Sequence, residues 1–248
     1  MARSILYLGD TALDNAAAYL AGLLHHYDLP ADYAPSSQKA DAALLDAERR
    51  CFILSDYPSA MLDPALQARL LAQVRQGAGL LMCGGWESFH GSGGDWDGTP
   101  IGDALPVEIS SLDDRVNCDR PVLICRTVDH PTVADLPWDQ RPPVIGGYNR
   151  VTPADGATVV LEAQSFDVRR DGDAFQFTPE RRDPLLVVGA LGQGRVAALM
   201  TDVAPHWVGP LVDWGPDRIT AQAPGAGEIE VGCDYAQFLH QLVRWTAG

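Results

Sequence analysis

The chain has 248 residues, with 18 Lys plus Arg against 33 Asp plus Glu, a formal net charge of −15. That balance argues against nucleic acid and acidic membrane surfaces as partners, since phosphate contacts need clustered Lys and Arg. With 46% hydrophobic and 21% charged residues the chain can bury its own core, which excludes wholesale disorder and any need for covalent staples.

No apolar run approaches the ~20 residues that span a bilayer, and the N-terminal apolar run Ile5–Leu8 is too short for a signal-peptide core. A cytoplasmic protein is expected. Its five cysteines, Cys51, Cys83, Cys118, Cys125 and Cys233, are odd in number and scattered, the pattern of reduced thiols rather than a disulfide framework.

Ser4–Leu8 reads as a first strand stopped by Gly9-Asp10. A helix follows, with Thr11 as its cap and Leu13, Ala17, Leu20, Leu24 and Tyr27 at helical spacing. Ala31–Ala34 is a second strand, Lys39–Arg50 a short helix, and Cys51–Leu54 a third strand stopped by Ser55-Asp56-Tyr57-Pro58. Asp63 as N-cap with Pro64 at the first helical position opens a helix whose stripe is Leu66, Leu70 and Val74, and Gly77 closes it. Gly79–Met82 is a fourth strand, ending in Cys83-Gly84-Gly85. This alternation of strand and helix predicts a parallel sheet with helices on both faces.

Residues from about 88 to 150 read as an irregular insertion with a few antiparallel strands, around Val107–Ile109 and Val122–Cys125. Val159–Glu162 is a strand. Leu185–Ala190 and Arg195–Met200 flank Leu191-Gly192-Gln193-Gly194, a late β-hairpin. After a Pro/Gly-rich loop, Tyr235–Trp245 is a closing helix with Phe238, Leu242 and Trp245 on one face. The whole chain, 1–248, is read as one domain.

In open parallel sheets ligands bind beyond the carboxyl ends of the strands. Gly9-Asp10, Ser55-Asp56-Tyr57, Cys83–Ser88 and Thr201–Trp207 are expected to converge there. A tight Cys-Gly-Gly turn would lift Cys83 above the sheet and aim backbone N–H groups at it, lowering the thiol pKa and preparing an oxyanion site. The other reading of Cys83 is a buried strand residue packed as a small hydrophobe. His206 is the candidate base and Asp202 its orienter. Gly84, Gly85, Trp86, Glu87, Trp207 and Asp10 are the candidate substrate-binding residues, with Trp86 or Trp207 as an apolar wall. His90 is a second imidazole in a Gly-rich loop. No metal site is expected: His25 and His26 are adjacent on a helix, no Cys-x-x-Cys or His-x-x-x-His pair exists, and Asp95, Asp97, Asp113 and Asp114 read as solvated loop acids. No cofactor is expected either, because the glycine runs lack the Walker spacing and its Lys.

Several stretches together resemble the class I glutamine amidotransferase-like superfamily, and within it a bacterial family of unknown role: Leu80–Phe89, Thr99-Pro100-Ile101, Leu105-Pro106-Val107, Asp113–Val116, Gly147-Tyr148-Asn149, Asp183–Val187, Gly192–Arg195 and Asp202–Trp207. The resemblance implies a flavodoxin-like, three-layer α/β/α fold. Working members carry Gly-x-Cys-x-Gly at the elbow and a late His-x-Glu. Cys83 and Gly85 match; Leu81 stands where the first glycine belongs, Glu87 where a glutamine helps bind substrate, and Val208 where the glutamate follows the histidine. The resemblance therefore implies degenerate or absent glutaminase chemistry beside a small-molecule pocket. Two alternatives stay open: an active Cys-dependent amidotransferase or hydrolase using Cys83, His206 and Asp202, and a DJ-1-like thiol enzyme in which Asp10 tunes Cys83. Association into a homo-oligomer stays open as well.

Overall fold

The computed structural model describes residues 4–248. In chain order its elements are β1 (Ile5–Gly9), α1 (Ala17–His26), β2 (Ala31–Ala34), β3 (Cys51–Ser55), α2 (Pro64–Arg75), β4 (Gly79–Cys83), β5 (Val107–Glu108), β6 (Arg115–Arg126), β7 (Val144–Asn149), β8 (Thr152–Pro153), β9 (Thr158–Asp171), β10 (Ala174–Leu191), β11 (Gly194–Leu199), α3 (Pro205–Val208), β12 (Arg218–Ala221), β13 (Ile229–Gly232) and α4 (Cys233–Ala247).

Nine strands form one sheet in the order β2-β1-β3-β4-β11-β10-β9-β6-β7. The first five run parallel to one another. From β11 onward every neighbour is antiparallel. The expected mainly parallel sheet is thus half parallel and half antiparallel. β1, β3 and β4 are buried along their whole length, as strands covered on both faces must be, and this is why they read as short continuous apolar runs. The stretch from about 88 to 150 supplies β6 and β7, antiparallel strands at the far edge of the sheet, with β6 between β7 and β9.

The helix over Pro64–Arg75 forms as its sequence predicts: the Asp63 carboxylate accepts from the Leu66 N–H at 2.9 Å, and Leu70 and Val74 are sealed from solvent. Replacing Asp63 by Ala should lower the unfolding free energy by about 1 kcal/mol, measured by urea denaturation. Two other helices differ from expectation. α1 begins at Ala17 rather than after Thr11, because the Leu13 carbonyl accepts from the Gly227 N–H at 2.7 Å and is lost to the helical ladder. The helix expected over 39–50 shrinks to one 3-10 turn, Ala42–Leu45; the Arg49 N–H goes to the Gln73 side chain at 2.8 Å.

The β10–β11 hairpin turns at Leu191 and Gly194 as its sequence predicts. The surprise is β9–β10, a long antiparallel ribbon reversing at Asp171–Ala174. Its outer half is exposed on both faces, with Phe175 and Phe177 in solvent. A strand pair with no buried face carries no apolar alternation, so periodicity cannot reveal it. No helix of the described residues is long and apolar enough to cross a membrane.

Candidate functional site

The carboxyl ends of β1, β3, β4 and β11 bring together Asp10, Asp56, the Cys83–Trp86 turn and Thr201–Asp202, the convergence the sequence predicts. Asp10 and Asp56 each follow their strand with a left-handed backbone, φ 52° and 45°, a conformation that Asp tolerates better than most residues. Only glycine fits at position 9: φ is +131°, and a Cβ would stand 1.7 Å from the Ser55 carbonyl oxygen. At Gly85 a Cβ would fall 2.0 Å from an Asp56 carboxylate oxygen, so the missing side chain makes the room that Asp56 occupies.

Three carboxyls crowd this end of the sheet. Burial pushes Asp10 up to about 7, the charge of Asp56 adds to it, and the Tyr7 hydroxyl, which donates to Asp10, works the other way. Asp56 is pushed up to about 6, first by burial; the Glu87 N–H, donating at 2.7 Å, opposes this. Asp202 is raised well above the carboxylate range by burial and then by Asp10 and Asp56, although its Oδ1 accepts from the N–H groups of Val203 (2.6 Å) and Ala204 (2.9 Å). Among the described residues no Lys or Arg pairs with any of the three.

The expected acidic thiol is reversed. Cys83 is 0% exposed, and burial, followed by the charges of Asp10 and Asp202, pushes its thiol well up. The backbone donors of the elbow are already engaged. The Gly84 N–H donates to the carbonyls of Leu199 (2.7 Å) and Thr201 (3.0 Å), and the Gly85 N–H to Asn149 Oδ1 at 2.9 Å. An oxyanion would find neither group free. Asp10, expected to tune the thiol, raises its pKa and shares its own hydrogen bond with Tyr7.

Asn149 is a residue that reasoning from single side chains passes over. Fully buried, it also donates to Asp114 at 2.7 Å and to the Gly85 carbonyl at 3.2 Å. Asp114 in turn accepts from the N–H groups of His90 and Gly91, both at 3.0 Å. Asp114 is therefore not a solvated loop acid but the buried anchor of the loop after the elbow. The available signal was its place in the stretches Asp113–Val116 and Gly147–Asn149.

Beside this turn lies a cleft of about 430 Å³ lined by Asp56, Trp86, Asn117, Asp202, His206 and Trp207. Trp86 is half-exposed, with the Arg115 guanidinium 4.5 Å from its ring centre. Trp207 is buried; its indole N–H donates to Asn117 Oδ1 at 2.9 Å. His206 is largely exposed, with Nδ1 4.0 Å from Asp202 Oδ2, too far for a hydrogen bond. Of the predicted residues the cleft thus gathers Asp56, Asp202, His206, Trp86 and Trp207, and adds Asn117. Cys83, Asp10, Gly84, Gly85 and Glu87 are not among its lining. His90 pairs with Asp97 at 2.7 Å instead. Among the described residues no group of three or more His, Cys, Asp or Glu is placed to hold a metal ion.

Residues 51–218 match the model of the family described as "Putative glutamine amidotransferase". The chain belongs to that family. Two cytoplasmic proteins of Salmonella typhimurium have similar structures: one is 22% identical with a TM-score of 0.72 over 98% of both chains. The other, from strain LT2, is 23% identical with a TM-score of 0.73, over 98% of this chain and 99% of its own. A ThuA-like protein from Bacteroides uniformis is 12% identical with a TM-score of 0.58, covering 98% of this chain and 91% of its own. These likenesses show a shared fold. No curated protein matches the chain. As a member of the amidotransferase-like family, it keeps the Cys-x-Gly of the elbow but holds the sulfur beneath the surface.

Proposed function

We propose that this family member is a small-molecule binding domain whose glutaminase chemistry has been lost. The observation that carries the reading is the sealed, proton-holding Cys83 beneath an elbow whose Gly84 and Gly85 N–H groups are spent on the protein itself. A thiol acts as a nucleophile through its thiolate, with access to substrate and a donor for the developing oxyanion. His206 stands over 2.6–3.2 Å hydrogen-bond reach from Asp202, so it lacks the orienting contact that makes an imidazole an effective base. What persists is the cleft at the strand ends, of a size and lining that suit a small ligand. The order of the parallel strands, β2-β1-β3-β4-β11, supports reading the fold as flavodoxin-like with three layers. The description of the two Salmonella proteins as cytoplasmic supports the same location here.

A coupled ammonia assay with glutamine, run on the wild type beside Cys83→Ala, tests this. The expected result is release far below the ~1 s⁻¹ of ordinary enzymes, and equal in both proteins. Release that vanishes in the variant would restore the amidotransferase assignment.

A further inference from the structure

We propose that the cleft binds a small organic cation, an ammonium group on an apolar body, with Asp56 and Asp202 as its counter-charges and Trp86 and Trp207 as its walls. This rests on the reading of the cleft as a binding site.

The argument begins with charge. Asp202 is buried and Asp56 partly so, and neither has a guanidinium or lysine partner among the described residues. Asp202 spends Oδ1 on two N–H groups of its own turn, and Asp56 spends Oδ1 on the Glu87 N–H. The second oxygen of each takes no hydrogen bond from the described residues. A buried carboxyl without a cation keeps its proton, and an ammonium group beside it would favour the ionised form through a charge-assisted N–H···O bond. The nearest basic group of the cleft, His206, is exposed and 4.0 Å from Asp202. Arg115 is committed elsewhere, paired through two nitrogens with Asp113 at 2.9 and 2.8 Å.

The walls suit the same ligand. Trp86 already carries a guanidinium at 4.5 Å, so its ring sits where a cation is attracted to an aromatic face. Trp207 is fixed by its bond to Asn117 and by Gly147, where any Cβ would fall 2.6 Å from the indole. Carboxylate or phosphate ligands are disfavoured by Asp56, Asp202 and the nearby Glu87, whose charge already acts on Asp56. A neutral polyol could hydrogen-bond here but would do nothing to favour the ionised carboxyls.

An isosteric series decides it. Cyclohexylamine, cyclohexanol and cyclohexanecarboxylate are compared on the full chain by calorimetry and thermal unfolding at pH 8, with ionic strength held constant by NaCl. The amine should bind and raise Tm, at least about 10-fold more tightly than either analogue, the factor that one charge-assisted contact supplies. Asp202→Asn should weaken amine binding by about the same factor, with folding checked by circular dichroism. Trp86→Ala, at a half-exposed position, should weaken it without disturbing the fold. Equal binding of the alcohol would overturn the cation proposal and leave the binding-domain reading standing. Preference for the carboxylate, or no binding of the amine, would overturn it too. Cys83-dependent ammonia release would instead overturn the binding-domain reading itself.

Discussion

In the folded protein Cys83 should be among the slowest of the cysteines to alkylate. Its strand, β4, lies between β3 and β11 in the interior of the sheet, and Cys83 and Cys51 are both fully buried. Cys118, Cys125 and Cys233 are partly exposed. Residues of a central strand meet solvent only when the domain opens as a whole, which for typical domains costs about 5–15 kcal/mol. Labelling of Cys83 should therefore run slower than that of Cys233 by a factor on the order of 10⁴ or more. Chemistry adds to access: burial pushes Cys51 up to about 12 and Cys118 to about 11, and it pushes Cys83 well up too, with help from the charges of Asp10, Asp202 and Asp56. A maleimide pulse at pH 8 followed by peptide mapping, with a denatured control, measures all five. Labelling of Cys83 within about tenfold of Cys233 would mean that the elbow opens in the native state, and the case against a working nucleophile would fall with it.

The second large effect is on stability as a function of pH. Asp10 stands at about 7 when folded, against an ordinary 3.8. A carboxyl raised on folding binds its proton more tightly in the native state, so its contribution is complete below about pH 4 and is lost as pH rises through 7. At about 1.36 kcal/mol per unit, that loss amounts to about 4 kcal/mol for Asp10, with Asp56, at about 6, acting in the same direction over a lower window. Asp10→Asn removes the charge and keeps an oxygen for the Tyr7 hydroxyl. Urea unfolding should find the variant close to wild type at pH 4.5 and more stable by roughly 2–4 kcal/mol at pH 8. A variant effect independent of pH would show that Asp10 is not the group that titrates.

Much of this architecture is written locally. Cys51–Ser55 and Gly79–Cys83 are short apolar runs because both faces of these strands are covered. Asp63-Pro64 starts α2 through a bond made within one turn, and Gly192-Gln193-Gly194 closes a hairpin between neighbours in the chain. The four strand-end segments of the site were legible for the same reason: strand, turn and helix each leave a local signature, and a parallel sheet sends the ends of such strands to one side. Local signals also misled. Thr11 suits a helix start, yet a bond from Gly227 takes the Leu13 carbonyl. Residues 165–182 form a ribbon that no periodicity announces, since neither face is buried.

The chemistry of the site was decided by contacts far apart in sequence. A Cys-Gly-Gly turn reads as a nucleophile elbow when only neighbours along the chain are considered. Asn149, 64 residues from Gly85, takes the elbow's N–H. The carbonyls of Leu199 and Thr201 take that of Gly84. Asp10, Asp56 and Asp202 come from three different strand ends, and their raised proton affinities exist only once the sheet sets them side by side, drawn from water and without a cation among the described residues. The sequence alone determined which residues reach this end of the sheet. Whether a thiol there is exposed, and whether a carboxyl there holds its proton, depends on solvent exclusion and on charges brought near by the fold, and these are properties of the tertiary structure.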